Sequence, residues 1–445
     1  MHRIIAAASA AALVPLAATS ATAQVSTPAT PRVGTPAAQQ PVGPPDPSPP
    51  PAAPLLIPRS GPFPTALTLR QALYEAEARS PAVIAARASV LAARGRLRQA
   101  GFRDNPELSV QAENFLGTGE LSRFRGTEVT VALSQRLDLG GRRRARQAGA
   151  QVGLIAAELN LFAARADLAQ SVRQQFATAL ASREQLRIAR NVETRAVELA
   201  RVAGILVDAG REPPLRAIRA RAAAAQASAA RQGAEADEAA ARRTLASLFG
   251  VEEPPASVVG ELEDSTPALI SAEQTLEVLL ARADVAAAEA ALQQELASRR
   301  LDPAVGLGVR HVQGTGDQAL VAGFSMPLPI RDQNQGNVAA ARAEVTAARA
   351  RLEGALAIAG VRLSNAQAGL ASANTRLAAL ELAAIPEAQD ALRLAELAYR
   401  AGKIPLLELL DAQAALATVE RDVVEARLAR ARAAAELIRA TAQQD

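Results

Sequence analysis

The chain has 445 residues, of which 49% are hydrophobic and 2% aromatic, with no cysteine and no tryptophan. The lack of cysteine excludes a disulfide framework and thiolate chemistry. A formal net charge of +4 is small for this length, and basic residues alternate with acidic ones, which argues against nucleic-acid binding. Abundant alanine, leucine, arginine and glutamate favours long helices that pack through small side chains.

The N-terminus has the pattern of a cleaved secretory signal. A basic start precedes an apolar run from Ile4 to Leu16, and Ala21–Ala23 supplies the small residues of a cleavage site, so residues 1–23 are predicted to be a signal peptide. A membrane anchor is the alternative, but a spanning helix needs ~20 apolar residues. Residues 24–66 are rich in proline, alanine, threonine and glutamine, and they are predicted to form a flexible leader.

Two segments with alternating apolar and polar residues are predicted to form β-hairpins, over residues 106–136 and 303–330. Each predicted strand has about 10 residues, which is enough to cross a bilayer when tilted. The alternation places these apolar residues on one face of their strands: Leu108, Val110, Ala112, Val129, Val131, Leu133, Val305, Leu307, Val309, Leu320, Ala322 and Phe324.

A long helix is predicted after each β-hairpin, from Arg142 to about Val207 and from Val338 to about Ala401. About 66 residues at 1.5 Å each give a rod of roughly 100 Å, which cannot fold back inside a compact domain. Pro386 lies inside the second helix, where it predicts a kink. Such helices are not stable alone, so we expect coiled-coil-like packing on neighbouring helices.

Each long helix is predicted to end in a sharp turn and a returning helix. Gly210 and Gly402 suit a left-handed helix stop, and Pro213 and Pro405 suit the first turn of the next helix. The two turns are 402 − 210 = 192 residues apart, and the Gly-Thr-Gly loops of the two hairpins recur with a similar offset. The chain is therefore predicted to be a duplication, with a first repeat over 67–250, a linker over 251–270 and a second repeat over 271–445.

No set of side chains suggests catalysis, a cofactor or a metal site. His311 is the one histidine after the predicted signal peptide, too few for a catalytic triad or a cluster of metal ligands, and we interpret it as a lumen or rim residue. Glu252 and Glu253 lie in a proline-rich stretch and are predicted to be solvated. The arginine run at 142–146 follows a strand, so headgroup contact or interfacial solvation is expected there. The chain is predicted not to be an enzyme.

Three phrases carry a resemblance to a known family. YRAGKIPLLELLDAQ at the second tip, QRLDLGGRRRAR after the second strand and SMPLPIRDQNQGN after the fourth, in this order of elements, resemble the TolC-type outer-membrane efflux family. The last phrase is most similar to the branch that serves cobalt-zinc-cadmium resistance pumps. The resemblance covers nearly all of the chain from Leu67 onward. A lipidated cysteine found in related branches is missing, and the leader is longer than expected.

This resemblance implies a fold that is mainly α with a transmembrane β-barrel. Four strands cannot close a barrel and open edges are not tolerated in hydrocarbon, so the chain must oligomerise. The family implies a homotrimer with a 12-stranded barrel in outer-membrane lipid and a helical tube through the periplasm. It also implies docking of the tips at Gly210, Pro213, Gly402 and Pro405 to a periplasmic adaptor and a proton-driven resistance-nodulation-division pump in the inner membrane.

Heavy-metal cations are the cargo that the resemblance favours. A duct of the same fold for drugs, organic solvents or type I protein secretion is one alternative, and a non-channel periplasmic coiled-coil protein is another. Sequence does not separate the ducts, because the duct need not bind its cargo.

Opposite charges follow the two tips. At the 192-residue offset Arg216 matches Glu408 and Arg219 matches Asp411, and the family resemblance places these acidic residues at a periplasmic constriction. In a trimer the two sets would attract each other and hold the tips closed. The alternative is that all four are solvated surface charges, since exposed pairs contribute only ~0 to 1 kcal/mol each.

Overall fold

The computed structural model describes residues 57, 59, 61, 64–121, 124–260 and 270–441. The predicted signal peptide, most of the predicted leader, residues 261–269 of the predicted linker and residues 442–445 lie outside the described residues. The described helices are α1 Leu69–Arg79, α2 Pro81–Gly101, α3 Arg142–Asp208, α4 Pro214–Ser247, α5 Leu276–Ser298, α6 Gln335–Ala379, α7 Ile385–Arg400 and α8 Leu406–Thr441. The strands are β1 Ala66–Leu67, β2 Glu107–Glu113, β3 Glu128–Arg136, β4 Ser257–Val258, β5 Ala304–Val312 and β6 Gln318–Ser325.

The first long helix, α3, is continuous over 67 residues, which confirms its prediction. Its length of roughly 100 Å follows from 1.5 Å per residue. The α6–α7 segment is interrupted instead by a π-helical turn, Leu380–Ala384, directly before Ile385 and Pro386. Proline lacks an N–H and its ring clashes with the carbonyl four residues earlier, and a widened turn accommodates both. The interruption predicted at Pro386 is thus present as a π-turn.

Two sets of helices pack on α3, one along its N-terminal part and one along its later part. Its N-terminal part packs on α2 and α5, with an ion pair between Arg94 and Glu158 at 3.3 Å. Its later part packs on α4 and α8, with Arg190 bound to Glu235 at 3.1 Å. Most buried side chains in these contacts are alanine, leucine or valine, which allows close helix packing without large aromatic groups.

A small parallel sheet of β1 and β4, absent from the sequence predictions, joins the two regions of the chain that flank the first repeat. Leu67 and Val258 of this sheet are buried in a cluster with Phe176 of α3 and Phe249 after α4. The Arg183 guanidinium donates to the Val258 carbonyl at 2.7 Å. Two of the eight phenylalanines therefore lie in one cluster beside the middle of α3.

A four-stranded antiparallel sheet has the order β2-β3-β5-β6. Both predicted hairpins are confirmed, and β3 pairs with β5 to join them into one sheet. The register aligns Val110, Val131, Val309 and Leu320 across all four strands. Because side chains alternate along strands, this alignment places the apolar sets of both hairpins on the same face.

Candidate functional site

The four-stranded sheet has one apolar face that no described element of the chain covers. Leu320 is 90% exposed, Leu307 74% and Leu108 67%. Large apolar residues at adjacent positions on all four strands form a contiguous patch, which a soluble monomer rarely exposes. The face predicted from the alternation is therefore observed, and it needs a lipid or protein environment.

The opposite face of the sheet carries mostly polar or small residues. It carries a charged cluster in which Arg310 binds Glu128 at 2.8 Å, Glu113 at 3.3 Å and the Thr130 hydroxyl at 3.0 Å. Gly306 and Gly308 on β5 face β3 so closely that a Cβ at Gly308 would lie 2.6 Å from the Val131 carbonyl oxygen. Sequence reasoning missed the cluster, since its members come from three strands.

His311 lies on the apolar face, near the loop end of β5, between Val129 and Gln318 in the register. It is half-buried, and its Nδ1 atom has no hydrogen-bond partner among the described residues. His311 thus lies near the loop end of the sheet, on the face opposite the Arg310 cluster. Within the described residues, no three histidine or acidic side chains come together as metal ligands.

The arginine run after β3 holds the junction between the sheet and the helices, a role that the sequence analysis did not assign to it. Arg142 pairs with the buried carboxylate of Asp302 at 3.1 Å and donates to the Ser298 carbonyl at 2.7 Å. Asp302 also accepts the Gly140 N–H at 3.1 Å. These contacts tie the start of α3 to the segment that leads into β5.

Two further arginines of the run are also bound within the chain. Arg143 contacts Asp138 at 3.8 Å, and Arg146 contacts Asp104 at 3.5 Å. Arg144 alone among the four is exposed. The sequence did not show these pairs because the acidic partners lie outside the run, in segments that the fold brings beside it.

Both helical tips have the same backbone turn. Gly210 has φ = +69° and Gly402 has φ = +70°, the left-handed conformation predicted for a helix stop. The Arg211 N–H donates to the Leu206 carbonyl and the Lys403 N–H donates to the Ala398 carbonyl, both at 2.9 Å. Pro213 and Pro405 directly precede the first residues of α4 and α8, where a fixed φ suits the helix start.

The side chains around the tips differ between the repeats. Arg216 pairs with Glu212 one turn earlier, and both carry their charge close to Tyr399 of the second hairpin. Burial and the neighbouring Glu212 carboxylate raise the pKa of Tyr399. Sequence reasoning missed Glu212 and Tyr399, although the Glu212–Arg216 spacing and a tyrosine directly before the turn were readable signals.

Arg219, Glu408 and Asp411 are exposed, and none of them has an ion pair with another described residue. One chain therefore does not bring Arg216 or Arg219 into contact with Glu408 or Asp411. These three charged side chains therefore remain available for contacts with another chain.

A buried cluster holds the two hairpins together at this end of the helices. It includes Leu199 and Ala203 of α3, Leu392 of α7, and Leu406 and Leu409 of α8. Apolar residues beyond the cluster are exposed at equivalent positions in both repeats, with Leu215 at 56% and Leu407 at 52%. The tips thus combine a fixed internal packing with an exposed, partly apolar surface.

None of the helices in the described part of the chain combines the length and hydropathy needed to cross a bilayer.

Comparison with known proteins decides the family. A family model described as "Outer membrane efflux protein" matches residues 72–251 and again residues 259–443. The chain belongs to the outer membrane efflux protein family. Two successive matches agree with the duplication seen in the hairpins and tips. Membership in an efflux family also confirms the prediction that this protein is not an enzyme.

Relatives of this outer membrane efflux protein include metal-resistance proteins. The cobalt-zinc-cadmium resistance protein CzcC of Cupriavidus metallidurans is 30% identical over 364 residues, which is 79% of this chain and 84% of CzcC. The nickel and cobalt resistance protein CnrC of the same organism is 32% identical over 319 residues, covering 70% of this chain and 74% of CnrC. The predicted resemblance to this branch is confirmed at the level of homology.

The fold is shared with the outer membrane protein VceC of Vibrio cholerae. The two structures have a TM-score of 0.68 at 21% identity, covering 84% of this chain and 96% of VceC. The helices and the sheet described above thus form the same fold as VceC.

Proposed function

We propose that this outer membrane efflux protein is the outer-membrane exit duct of a tripartite, proton-driven efflux system that exports heavy-metal cations. The observation that carries the proposal is the four-stranded sheet with one uncovered apolar face and one polar face, attached to a helix of roughly 100 Å. Lipid on one side and water on the other are the surroundings that such a sheet requires.

Assembly as a homotrimer satisfies the open edges of the sheet. β2 and β6 are edge strands in the chain, and unpaired backbone groups are not tolerated in hydrocarbon. Pairing β6 of one copy with β2 of the next would close a 12-stranded barrel from three copies of four strands. The apolar face would then contact outer-membrane lipid, and Arg310 with its glutamates would face the lumen.

The tips are proposed to meet the partners. The exposed Leu215 and Leu407, next to the turns at Gly210 and Gly402, offer repeated apolar contacts for a periplasmic adaptor. The adaptor would link the duct to a resistance-nodulation-division pump in the inner membrane. The pump supplies the energy, and the duct is passive.

Closure at rest is proposed to depend on the charges after the tips. In a trimer of alternating hairpins, Arg216 and Arg219 of one hairpin would lie near Glu408 and Asp411 of a neighbouring one. Exposure of Arg219, Glu408 and Asp411 in the single chain leaves them free for such contacts. Each pair contributes only ~0 to 1 kcal/mol, but three-fold repetition brings the sum to several kcal/mol.

Heavy-metal cargo is supported by the names of CzcC and CnrC, which are resistance proteins for cobalt, zinc, cadmium and nickel. The test is a deletion strain grown on zinc, cobalt, cadmium, nickel and copper, complemented with the wild-type gene or with a Leu307→Lys variant, which we expect to block membrane assembly. We expect sensitivity to at least one metal, restored by the wild type alone. Sensitivity to drugs or organic solvents without metal sensitivity would assign the duct to the other cargo class.

A further inference from the structure

A cavity of about 830 Å³ lies where α2 ends and the sheet begins. Its walls come from the last turns of α2, the link to β2, the first turns of α3 and Gln294 of α5, all within one chain. Arg96, Arg103 and Arg146 line it together with a single acidic residue, Asp104, which leaves a formal charge of +2. The cavity is therefore suited to an anion.

Two of the three guanidinium groups have no ion-pair partner in the part of the chain that the structure describes. Arg146 contacts Asp104 at 3.5 Å, whereas Arg96 and Arg103 are exposed and have no ion pair among the described residues. Arginine presents a planar set of donors that matches a phosphate better than a monatomic anion. Gln99, Asn105 and Gln294 add amide groups to the lining, which suits hydroxyl groups next to a phosphate.

The cavity adjoins the end of the apolar face of the sheet. Gln135 belongs to the register of that face, opposite Val305, and its side-chain amide donates to the Asp104 carbonyl at 2.9 Å. Phe102, which lines the cavity, is 55% exposed, and Leu139 is exposed in the link between β3 and α3. An anion held here would have apolar surface on one side and the helices on the other.

We infer that this cavity binds the phosphodiester headgroup of an anionic glycerophospholipid, with Arg96 and Arg103 on the phosphate and the acyl chains along Phe102 and the apolar face. The inference rests on the proposed membrane position of the sheet. Lipid headgroups lie at the boundary of the apolar band of the bilayer, so arginines at the end of the sheet would contact their phosphates.

The duplication limits the site to one per chain. At the 197-residue offset of the hairpins, Arg96 corresponds to Gln293 and Arg103 to Arg300, and Arg300 donates to the Gly140 carbonyl at 3.3 Å. The second repeat therefore has one arginine fewer and uses the other in the junction. A trimer is expected to hold three headgroups at these cavities.

Native mass spectrometry of the full chain in detergent tests the site, with phosphatidylglycerol, phosphatidylcholine and sn-glycerol 3-phosphate as probes. We expect one tight phosphatidylglycerol per chain and weaker phosphatidylcholine. Arg96→Gln with Arg103→Gln should raise the Kd for phosphatidylglycerol about tenfold or more, because hydrogen bonds to charged groups are lost. The matched control is Arg98→Gln with Arg144→Gln, which removes the same charge from exposed positions outside the cavity and should leave Kd unchanged.

Equal loss in both double variants, or no loss in either, would overturn the site. Binding of sn-glycerol 3-phosphate as tight as that of phosphatidylglycerol would overturn the lipid assignment in favour of a soluble phosphate ester. Arg96→Lys with Arg103→Lys keeps the charge and should give an intermediate Kd. The same spectra report the oligomeric mass, so a monomer that still binds one lipid per chain would reject the proposed trimer and keep the site.

Discussion

The two repeats of this protein have the same backbone geometry at their tips and in their hairpins. They differ in their charges and in the continuity of their long helices. Their tips have the same left-handed glycine and the same hydrogen bonds, and their hairpins contribute to one apolar face. Yet α3 runs unbroken to its tip, whereas the second long helix contains the π-turn at Leu380–Ala384. Arg216 and Arg219 stand opposite Glu408 and Asp411 in the repeat alignment.

The features common to both repeats are those that the fold requires, and the features that differ between the repeats can vary. The turns and the hairpins have equal geometry in both repeats, as the proposed tube and barrel require. Charge and helix continuity are free to differ, and both differences lie in the half of the helices that leads to the tips. We therefore expect similar effects from changes at paired positions of the two hairpins and unequal effects from matched changes after the tips.

The largest effect is expected from a charge on the apolar face. Leu133→Lys in the first repeat and Leu307→Lys in the second concern paired residues on β3 and β5. Lysine near the middle of a bilayer costs about 2–4 kcal/mol in each chain. Both variants should lose the heat-sensitive oligomer to a similar extent on unheated gels of membrane extracts.

Ser134→Lys is the control, since it lies next to Leu133 in sequence but on the polar face. It should assemble as the wild type does. Assembly of Leu133→Lys and Leu307→Lys at wild-type levels would show that the apolar face does not meet lipid.

Charge reversal after the second tip is expected to have the next largest effect. Glu408→Arg with Asp411→Arg removes attraction and adds repulsion at six positions in a trimer, several kcal/mol in sum from pairs of ~0 to 1 kcal/mol each. The tube should open, with higher single-channel conductance in planar bilayers and antibiotic leak in cells. Adding Arg216→Glu and Arg219→Glu should partly close it again.

If the fourfold variant has the same conductance as the double variant, these four residues do not hold the tips closed. Because Arg216 already binds Glu212 within the chain, Arg219→Glu alone should act more strongly than Arg216→Glu alone.

A smaller and equal effect is expected at the two turns. Gly210→Ala and Gly402→Ala meet no atom within 4 Å of the added Cβ, so the cost is that of the left-handed backbone, about 1–2 kcal/mol. Amide hydrogen exchange at Arg211 and Lys403 should increase about tenfold in the respective variant. Gly204→Ala, inside α3 with open space around it, should slow exchange or leave it unchanged.

The smallest effect concerns pH. The pKa of Tyr399 is raised, so the neutral phenol is favoured and the contact of Tyr399 with the buried cluster around Leu406 is fully present below the ordinary tyrosine pKa of about 10. The contact weakens as pH rises through the raised pKa, because a phenolate would face the Glu212 carboxylate. Conductance of the wild type should increase slightly above about pH 10, and Tyr399→Phe should remove that increase.

Periodicity predicted most of the fold because it is a local property. Alternation assigned the apolar residues of β2, β3, β5 and β6 to their faces, and the glycine and proline spacing located both tips. The β1–β4 sheet was not predictable, since a two-residue strand has no period and its partner lies almost 200 residues away.

The contacts that specify the site were harder to predict because their partners are distant in sequence. Arg142 and Asp302 lie 160 residues apart, so the arginine run gave no sign that it holds a buried carboxylate. The Arg310 cluster depends on the register between β3 and β5, which no turn connects directly. The turns at the tip glycines, in contrast, were predictable because a left-handed turn depends only on the local sequence.

The most direct test of the account is the mass of the purified, mature protein in detergent, measured by light scattering with the detergent contribution subtracted. We expect a trimer that dissociates on heating and that precipitates when detergent is removed, because the apolar face and the edges of the sheet must be covered. A stable monomer in water without detergent would contradict it.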